Sequence, residues 1–401
     1  MDSFSMGGMG QVNTLMPIDK NTFCVAPWFG LYVGANKKIS PCCKFGSSHY
    51  AYNEIEEYWQ SVHLSEVRRD LLNGIKNHDC SKCWKDEEKG GDSLRLISNR
   101  TIGRMVDISL LEQIKNPKLS HIKSFELTLG NLCNLKCVMC NPGLSSQLLA
   151  EVNLNQGLKK NFKGNYNQKD YDWPKSDEFV QWCEKYLPQS IHIKFTGGEP
   201  FIIPWIQNVI DKIPNEQKKK CVLHFTTNLT IVNLGLFENF RHFKEVWLSV
   251  SVEGIKETHE YLRFGHKWQT LETNLRSIQE MNIPNLILKI NHVVQTASYH
   301  SIIPMTEYFD KKQLEIHPIL LTQPAHFHIS SLTTHAKQKF IDDTSDYRGY
   351  NSNFINFVRL ASKEHMEQNV KGTKDCIEYL SHFDKARRNN YQKIIPYKNL
   401  I

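Results

Sequence analysis

The sequence predicts an α/β fold on a parallel sheet, and three observations carry that expectation. After residue 120, six short β-rich runs recur, each bounded by turn formers. Between them lie stretches with apolar residues at helical spacing. Ahead of them, residues 21–95 form a small cysteine-bearing module of low apolar content. Strands alternating with helices give a parallel sheet with right-handed crossovers. Eight such units would close a full barrel, so six suggest an incomplete barrel or an open doubly wound sheet.

The strands are expected at IKSFELTLG (122–130), SIHIKFTGG (190–198), CVLHFTTN (221–228), KEVWLSVSVEG (244–254), LILKINHVV (286–294) and QLEIHPILL (313–321). The amphipathic stretches include DEFVQWCEKYL (177–187), WIQNVIDKI (205–213) and LETNLRSIQEM (271–281). In residues 21–95, WFGLYVG and KKISPCC read as short strands and NEIEEYWQSVHLSE opens a helical stretch that runs toward CSKCWKDEEKGG. Residues 1–20 are expected to be loosely packed or disordered, 96–120 a helical connector, 121–330 the α/β core, and 331–401 a C-terminal helical segment with a tail. In that last segment YLSHFDKARRNNYQKIIPY reads as a basic amphipathic helix followed by an extended tail, with packing on the core as the default reading and a dimer contact as the alternative.

The chain has 401 residues, 40% hydrophobic and 23% charged, with a net charge of +7. That is the composition of a globular protein. No run of eighteen apolar residues is present, so no membrane span is expected, and MDSFSMGGMGQVNT lacks the pattern of a secretory signal. The expected location is cytoplasmic. The densest basic run, EQKKKC at 216–221, lies between an expected helix and strand and reads as a solvated turn. Nucleic-acid binding would want interleaved aromatics and a larger local excess.

Of 11 cysteines, eight fall into tight clusters: Cys24, Cys42 and Cys43, Cys80 and Cys83, then Cys133, Cys137 and Cys140. Clustered thiols without an export signal read as metal ligands rather than a disulfide framework. Cys183, Cys221 and Cys376 stand alone and read as small buried hydrophobes. The stretch GNLCNLKCVMCNPG puts three cysteines in C-x3-C-x2-C spacing directly after the first core strand. In a parallel α/β layout that loop lies at the carboxyl end of the strands, where such folds place active sites. Zinc sites close with four ligands. Each iron of a cubane cluster needs an outer ligand, so three thiolates leave one iron open to a small molecule.

At these cysteines the sequence resembles the radical S-adenosylmethionine (SAM) superfamily, whose signature is C-x3-C-x2-C in the loop after the first barrel strand. The resemblance covers residues 122 to about 325 and implies a partial (β/α)6 TIM-like barrel. It implies that Cys133, Cys137 and Cys140 hold a [4Fe–4S] cluster whose open iron chelates SAM. Reductive cleavage of SAM would then give methionine and a 5′-deoxyadenosyl radical that takes hydrogen from a substrate. Further residues match the family. TGGEP places Gly197, Gly198, Glu199 and Pro200 where relatives hold the SAM amino group. SVSVEG offers Ser249 and Ser251 for the ribose or carboxylate of SAM, with Glu253 where the usual residue is Asp. Arg263 falls where relatives carry an arginine near the SAM carboxylate. Thr226, Asn228 and Asn291 are polar positions at strand ends or within the barrel.

The first cysteine set, Cys24, Cys42 or Cys43, Cys80 and Cys83, pairs a hairpin with a later C-x2-C. A zinc ribbon is one reading. The other is a resemblance to the auxiliary-cluster modules, called SPASM or twitch domains, of radical SAM enzymes. That resemblance implies a second, fully ligated [4Fe–4S] cluster with Cys42, after Pro41, as the favoured ligand. In most relatives the module follows the barrel, whereas here it precedes it. The implied partners are an electron donor such as a flavodoxin or ferredoxin and a substrate that is either a peptide or protein side chain or a small molecule. A non-catalytic iron–sulfur electron carrier and a zinc-binding interaction protein are the alternative classes.

Overall fold

The computed structural model describes residues 21–46, 48–88, 92–105, 114, 117–164 and 166–396. The expectations for residues 1–20, most of the connector after 105 and the last five residues lie outside them. The core is one eight-stranded sheet in the order β2-β1-β3-β4-β5-β6-β7-β8. The strands are β1 (Gly30–Val33), β2 (Ile39–Ser40), β3 (Ser124–Thr128), β4 (His192–Thr196), β5 (Val222–Thr227), β6 (Glu245–Ser251), β7 (Leu286–Val294) and β8 (Glu315–Leu320). Strands β3 to β8 pair parallel in chain order and fall on the six expected runs. Sequential parallel strands with helices between them form the partial barrel.

The N-terminal strands differ from expectation in one respect. They form a hairpin, with Tyr32 opposite Ser40. Yet β1 also pairs parallel with β3, Tyr32 beside Glu126, so the hairpin continues the barrel sheet at its open edge. An exposed edge at β3 would leave a row of unpaired backbone groups, and β1 covers it. The helix Val62–Leu72 follows, capped by Ser61, whose side chain accepts from Leu64 N. A second, smaller core gathers Phe23, Trp28, Phe29, Val67, Leu71 and Trp84.

Side-chain alternation decides the two faces of the sheet. Phe125, Ile193, Phe195, Phe225, Leu248 and Val250 point outward and are fully buried under the helices. The helix Asp177–Tyr186 buries Phe179, Trp182, Cys183 and Tyr186, spaced three and four apart, and takes its N-cap from Ser176. Trp268–Glu280 buries Trp268, Leu271, Leu275 and Ile278 in the same way. The opposite face of each strand looks into the lumen and is polar: Glu126, Lys194, His224, Ser249 and Ser251.

The lone cysteines Cys183, Cys221 and Cys376 are fully buried, as small hydrophobes should be. The basic run at 216–221 is not wholly solvated: Lys218 is 5% exposed, donates to Asn239 and lies over the Phe243 ring. The C-terminal helix Val370–Arg387 buries Cys376, Tyr379, Leu380 and Phe383 against the barrel. It ends at Arg388, whose left-handed φ of 52° breaks the helix. Among the described residues no helix is long and apolar enough to cross a membrane.

Candidate active site

The loop after β3 carries Cys133, Cys137 and Cys140 and is pinned along its length by backbone acceptors and donors. Lys136 N donates to Phe264 O at 2.9 Å, and Val138 N to Leu262 O at 2.7 Å. The Ser145 hydroxyl donates to Leu135 O. From the C-terminal helix, Tyr379 OH donates to Val138 O at 3.0 Å and Arg387 Nη2 to Lys136 O at 2.7 Å. Arg387 is itself paired with Glu151 and stacked over Phe264. A loop held by this many partners presents its thiols in fixed positions.

The three thiols line one cavity of about 420 Å³ together with Gly197, Gly198, Glu199, Thr226, Asn228, Ser251 and Arg263. Burial raises the pKa of all three, and the neighbouring Cys137 raises Cys133 and Cys140 further, the latter to about 12. Thiols that discourage one another's ionisation are the donor set that a polycationic centre stabilises as thiolates. Among the described residues no three Cys, His, Asp or Glu side chains converge on a single-ion site. A cubane cluster takes its thiolates on separate irons, so this donor set fits one.

The glycine turn after β4 packs directly on the cysteine loop. Gly197 has φ of +83°, which glycine alone adopts freely, and a Cβ on Gly198 would stand 1.9 Å from Leu132 O. Glu199 N donates to Leu132 O at 2.7 Å. The Glu199 carboxylate, 1% exposed, accepts from Phe201 N, the Thr227 hydroxyl at 2.6 Å and Asn228 N at 2.6 Å. It therefore ties the turn to the end of β5. Pro200 is buried at the start of the short helix Pro200–Ile202.

Arg263 lies at the opposite wall. Its Nη2 pairs with Glu253 at 3.0 Å, its Nη1 stands 3.9 Å from Cys137 Sγ, and its Nε is buried without a partner. Glu253 is fully buried; burial pushes its carboxyl up to about 7, against the lowering charge of Arg263. The unpartnered Nε and the cavity-facing guanidinium fit an anionic group such as a carboxylate.

The remaining expected residues divide. Ser251 reaches the cavity, and Asn291 is its neighbour in register on β7, on the same lumen face. Ser249 sits one pleat lower, its hydroxyl 3.0 Å from His224 Nε2. Asn228 Nδ2 lies 3.9 Å from Cys133 Sγ and 3.0 Å from Asn134 Oδ1. Several residues of the site carry no sequence signal of their own. Tyr379 and Arg387 reach the cysteine loop from 241 and 251 positions away. Tyr32 and Glu126 also line the cavity, and so does Cys43, which the sequence marks only as a metal-ligand candidate.

The first cysteine set is assembled around the smaller core. Cys24, Cys42 and Cys80 pack there, and the charges of Cys24 and Cys83 add to burial in raising Cys80 to about 12. Burial raises the Cys42 thiol, and the charges of Cys24, Cys43 and Cys83 add to it. Cys43 lines the barrel cavity instead and is the exposed member of the set. Trp28 and Trp84 belong to this core and Trp59 to the main one.

Comparison with known proteins gives three results. Solved structures resemble the chain at low identity. One is "Native anSMEcpe with bound AdoMet", at 17% identity and a TM-score of 0.38, covering 55% of this chain and 58% of that one. Another is Streptococcus suis SuiB bound to S-adenosylmethionine, at 16% identity and a TM-score of 0.37, covering 70% and 62%. The same S. suis protein bound to its precursor peptide SuiA gives 16% identity, a TM-score of 0.37 and coverage of 70% and 64%. The chain thus spans less than two thirds of each of these proteins. No match to a curated protein sequence was found. Residues 127–302, from within β3 past the end of β7, match the family model described as the Radical SAM superfamily, and this segment holds the three-cysteine loop, the glycine turn and Arg263.

Proposed function

We propose that this protein is a radical SAM enzyme with a second, auxiliary iron–sulfur centre. The observation that carries the reading is the shared cavity: three thiols from one loop, the Gly197–Gly198 turn and Arg263 all line it. A [4Fe–4S] cluster bound there supplies reductive cleavage of SAM to methionine and a 5′-deoxyadenosyl radical, which abstracts a substrate hydrogen.

In this reading Cys133, Cys137 and Cys140 hold the cluster. Arg263, aimed by Glu253, receives the SAM carboxylate. The backbone of Gly197 and Gly198 receives its ammonium. Glu199 fixes that turn, its carboxylate being engaged by chain donors. Thr226, Ser251 and Asn291 flank the ribose, while Ser249 acts through His224. Residues 121–330 form the SAM core and 21–95 a twitch-like module in which Cys24, Cys42, Cys80 and Cys83 hold the auxiliary [4Fe–4S] cluster. The substrate is a peptide or a small molecule, and an electron donor of flavodoxin or ferredoxin type supplies reducing equivalents. The test is anaerobic reconstitution with iron counting and assay for 5′-deoxyadenosine from SAM and dithionite; absence of 5′-deoxyadenosine from iron-loaded protein refutes the reading.

A further inference from the structure

Below the cysteine loop, the lumen floor holds a feature that SAM chemistry leaves unused. Tyr32, Glu126 and Lys194 lie side by side on β1, β3 and β4. Lys194 Nζ pairs with Glu126 Oε1 at 2.8 Å, and the two side chains are 26% and 21% exposed. Lys194 spends one of its three donors there. Tyr32, Cys43 and Glu126 face the cavity that the three loop cysteines line, and Tyr32, Glu126 and Lys194 line a second cavity, of about 170 Å³. An ion pair drawn out of bulk water contributes little to stability, because desolvation offsets the attraction. Its position in a cavity, with donors and acceptors in reserve, suits ligand recognition.

We propose that the Glu126–Lys194 pair is the substrate anchor, and that it takes an α-amino-acid head group. The substrate ammonium would pair with Glu126 and the substrate carboxylate with Lys194, a closed ring of alternating charges. This rests on the radical SAM reading and adds residues and a substrate chemistry to it. The complete head group is that of a free amino acid; the end of a peptide supplies only one of its two charges, an ammonium to Glu126 or a carboxylate to Lys194.

In the reaction so assigned, a substrate C–H bond breaks and a C5′–H bond forms in 5′-deoxyadenosine, the odd electron passing to the substrate carbon. The experiment uses holoprotein, SAM and dithionite with uniformly deuterated free amino acids in one arm and deuterated tryptic peptides in the other. Mass spectrometry reads deuterium in 5′-deoxyadenosine. Deuterium transfer is expected in at least one arm, and the arm identifies the source. Lys194→Met and Glu126→Gln should lower the transfer about tenfold or more, the effect of losing a charge-assisted contact, with iron content retained in both and total 5′-deoxyadenosine retained in Lys194→Met. The exchanged pair, Glu126→Lys with Lys194→Glu, keeps an ion pair for folding and should also lose transfer, since the head group would meet the wrong charges. Unlabelled 5′-deoxyadenosine in both arms, or equal transfer in folded variants, overturns the anchor. Absence of 5′-deoxyadenosine altogether overturns the radical SAM reading and the anchor with it.

Discussion

Glu253 holds Arg263 at 3.0 Å, and this contact leaves the other guanidinium nitrogen 3.9 Å from Cys137 Sγ. The acid sits on the loop after β6 and the arginine just past the helix Lys256–Leu262, so the pair couples the strand end to the wall of the cavity. Arg263→Lys keeps the charge but loses the planar fork. SAM affinity should fall about ten- to a hundredfold, as loss of a charge-assisted contact of roughly 1.5–3 kcal/mol implies. Glu253→Gln removes the charge partner of the Arg263 guanidinium and leaves a weaker acceptor in a buried place, which costs about 1–3 kcal/mol. Thermal denaturation should register the second change more than the first.

Glu199 is predicted to act on the fold of the site. Its carboxylate meets three donors, so the amide of Glu199→Gln turns an N–H toward groups that themselves donate. A loss of about 1–3 kcal/mol follows, visible as a lower melting temperature together with reduced iron at the SAM-site loop. Gly198→Ala should be harsher, since its Cβ meets the Leu132 carbonyl at 1.9 Å. A Gln variant with unchanged stability and weakened SAM binding would assign Glu199 to the ligand instead.

Cys42 and Cys43 should behave oppositely. Cys42 packs with Cys24 and Cys80 at the smaller core, whereas Cys43 lines the barrel cavity with Glu126. Iron counting on anaerobically reconstituted protein should give about eight atoms per chain for the parent and for Cys43→Ala, and about four for Cys42→Ala. The reverse pattern would exchange the two roles.

Acid should weaken the fold through its buried histidines, offset in part by Glu253, whose carboxyl, pushed up by burial to about 7, takes up its proton first in the folded chain. His292 is fully buried; burial pushes it down from 6.5 to about 4, against the hydrogen bond with Val252 O. His266 is likewise pushed down to about 4. The unfolded chain therefore binds more protons than the folded one between these values. The stability of the neutral histidines is complete above pH 6.5 and is lost as the pH falls toward 4. Denaturant midpoints should drop across that window, by at most roughly 1.4 kcal/mol per pH unit for each histidine. His292→Asn should flatten the slope.

Much of the barrel was legible because its signals are local. Six strands announce themselves as β-branched runs bounded by turns, and C-x3-C-x2-C places the thiols on one loop after β3. What the sequence hides is non-local. WFGLYVG reads as a strand, but nothing in it says that Tyr32 will lie beside Glu126, 94 positions on. Pro41 favours Cys42 over Cys43 as a ligand, but nothing in the sequence says that Cys42 will pack on the smaller core while Cys43 lines the barrel cavity. Tyr379 and Arg387 look like ordinary helix positions until they meet carbonyls of the cysteine loop. Glu199 reads as a free carboxylate because its three donors come from backbone and from β5.

The central claim is most directly tested by 5′-deoxyadenosine formation. Anaerobically reconstituted protein, given SAM and dithionite, should form 5′-deoxyadenosine. Cys137→Ala should form none while keeping the iron of the first cysteine set. Iron-loaded parent protein that leaves SAM intact, or a Cys137→Ala protein that cleaves it as well as the parent does, would contradict the account.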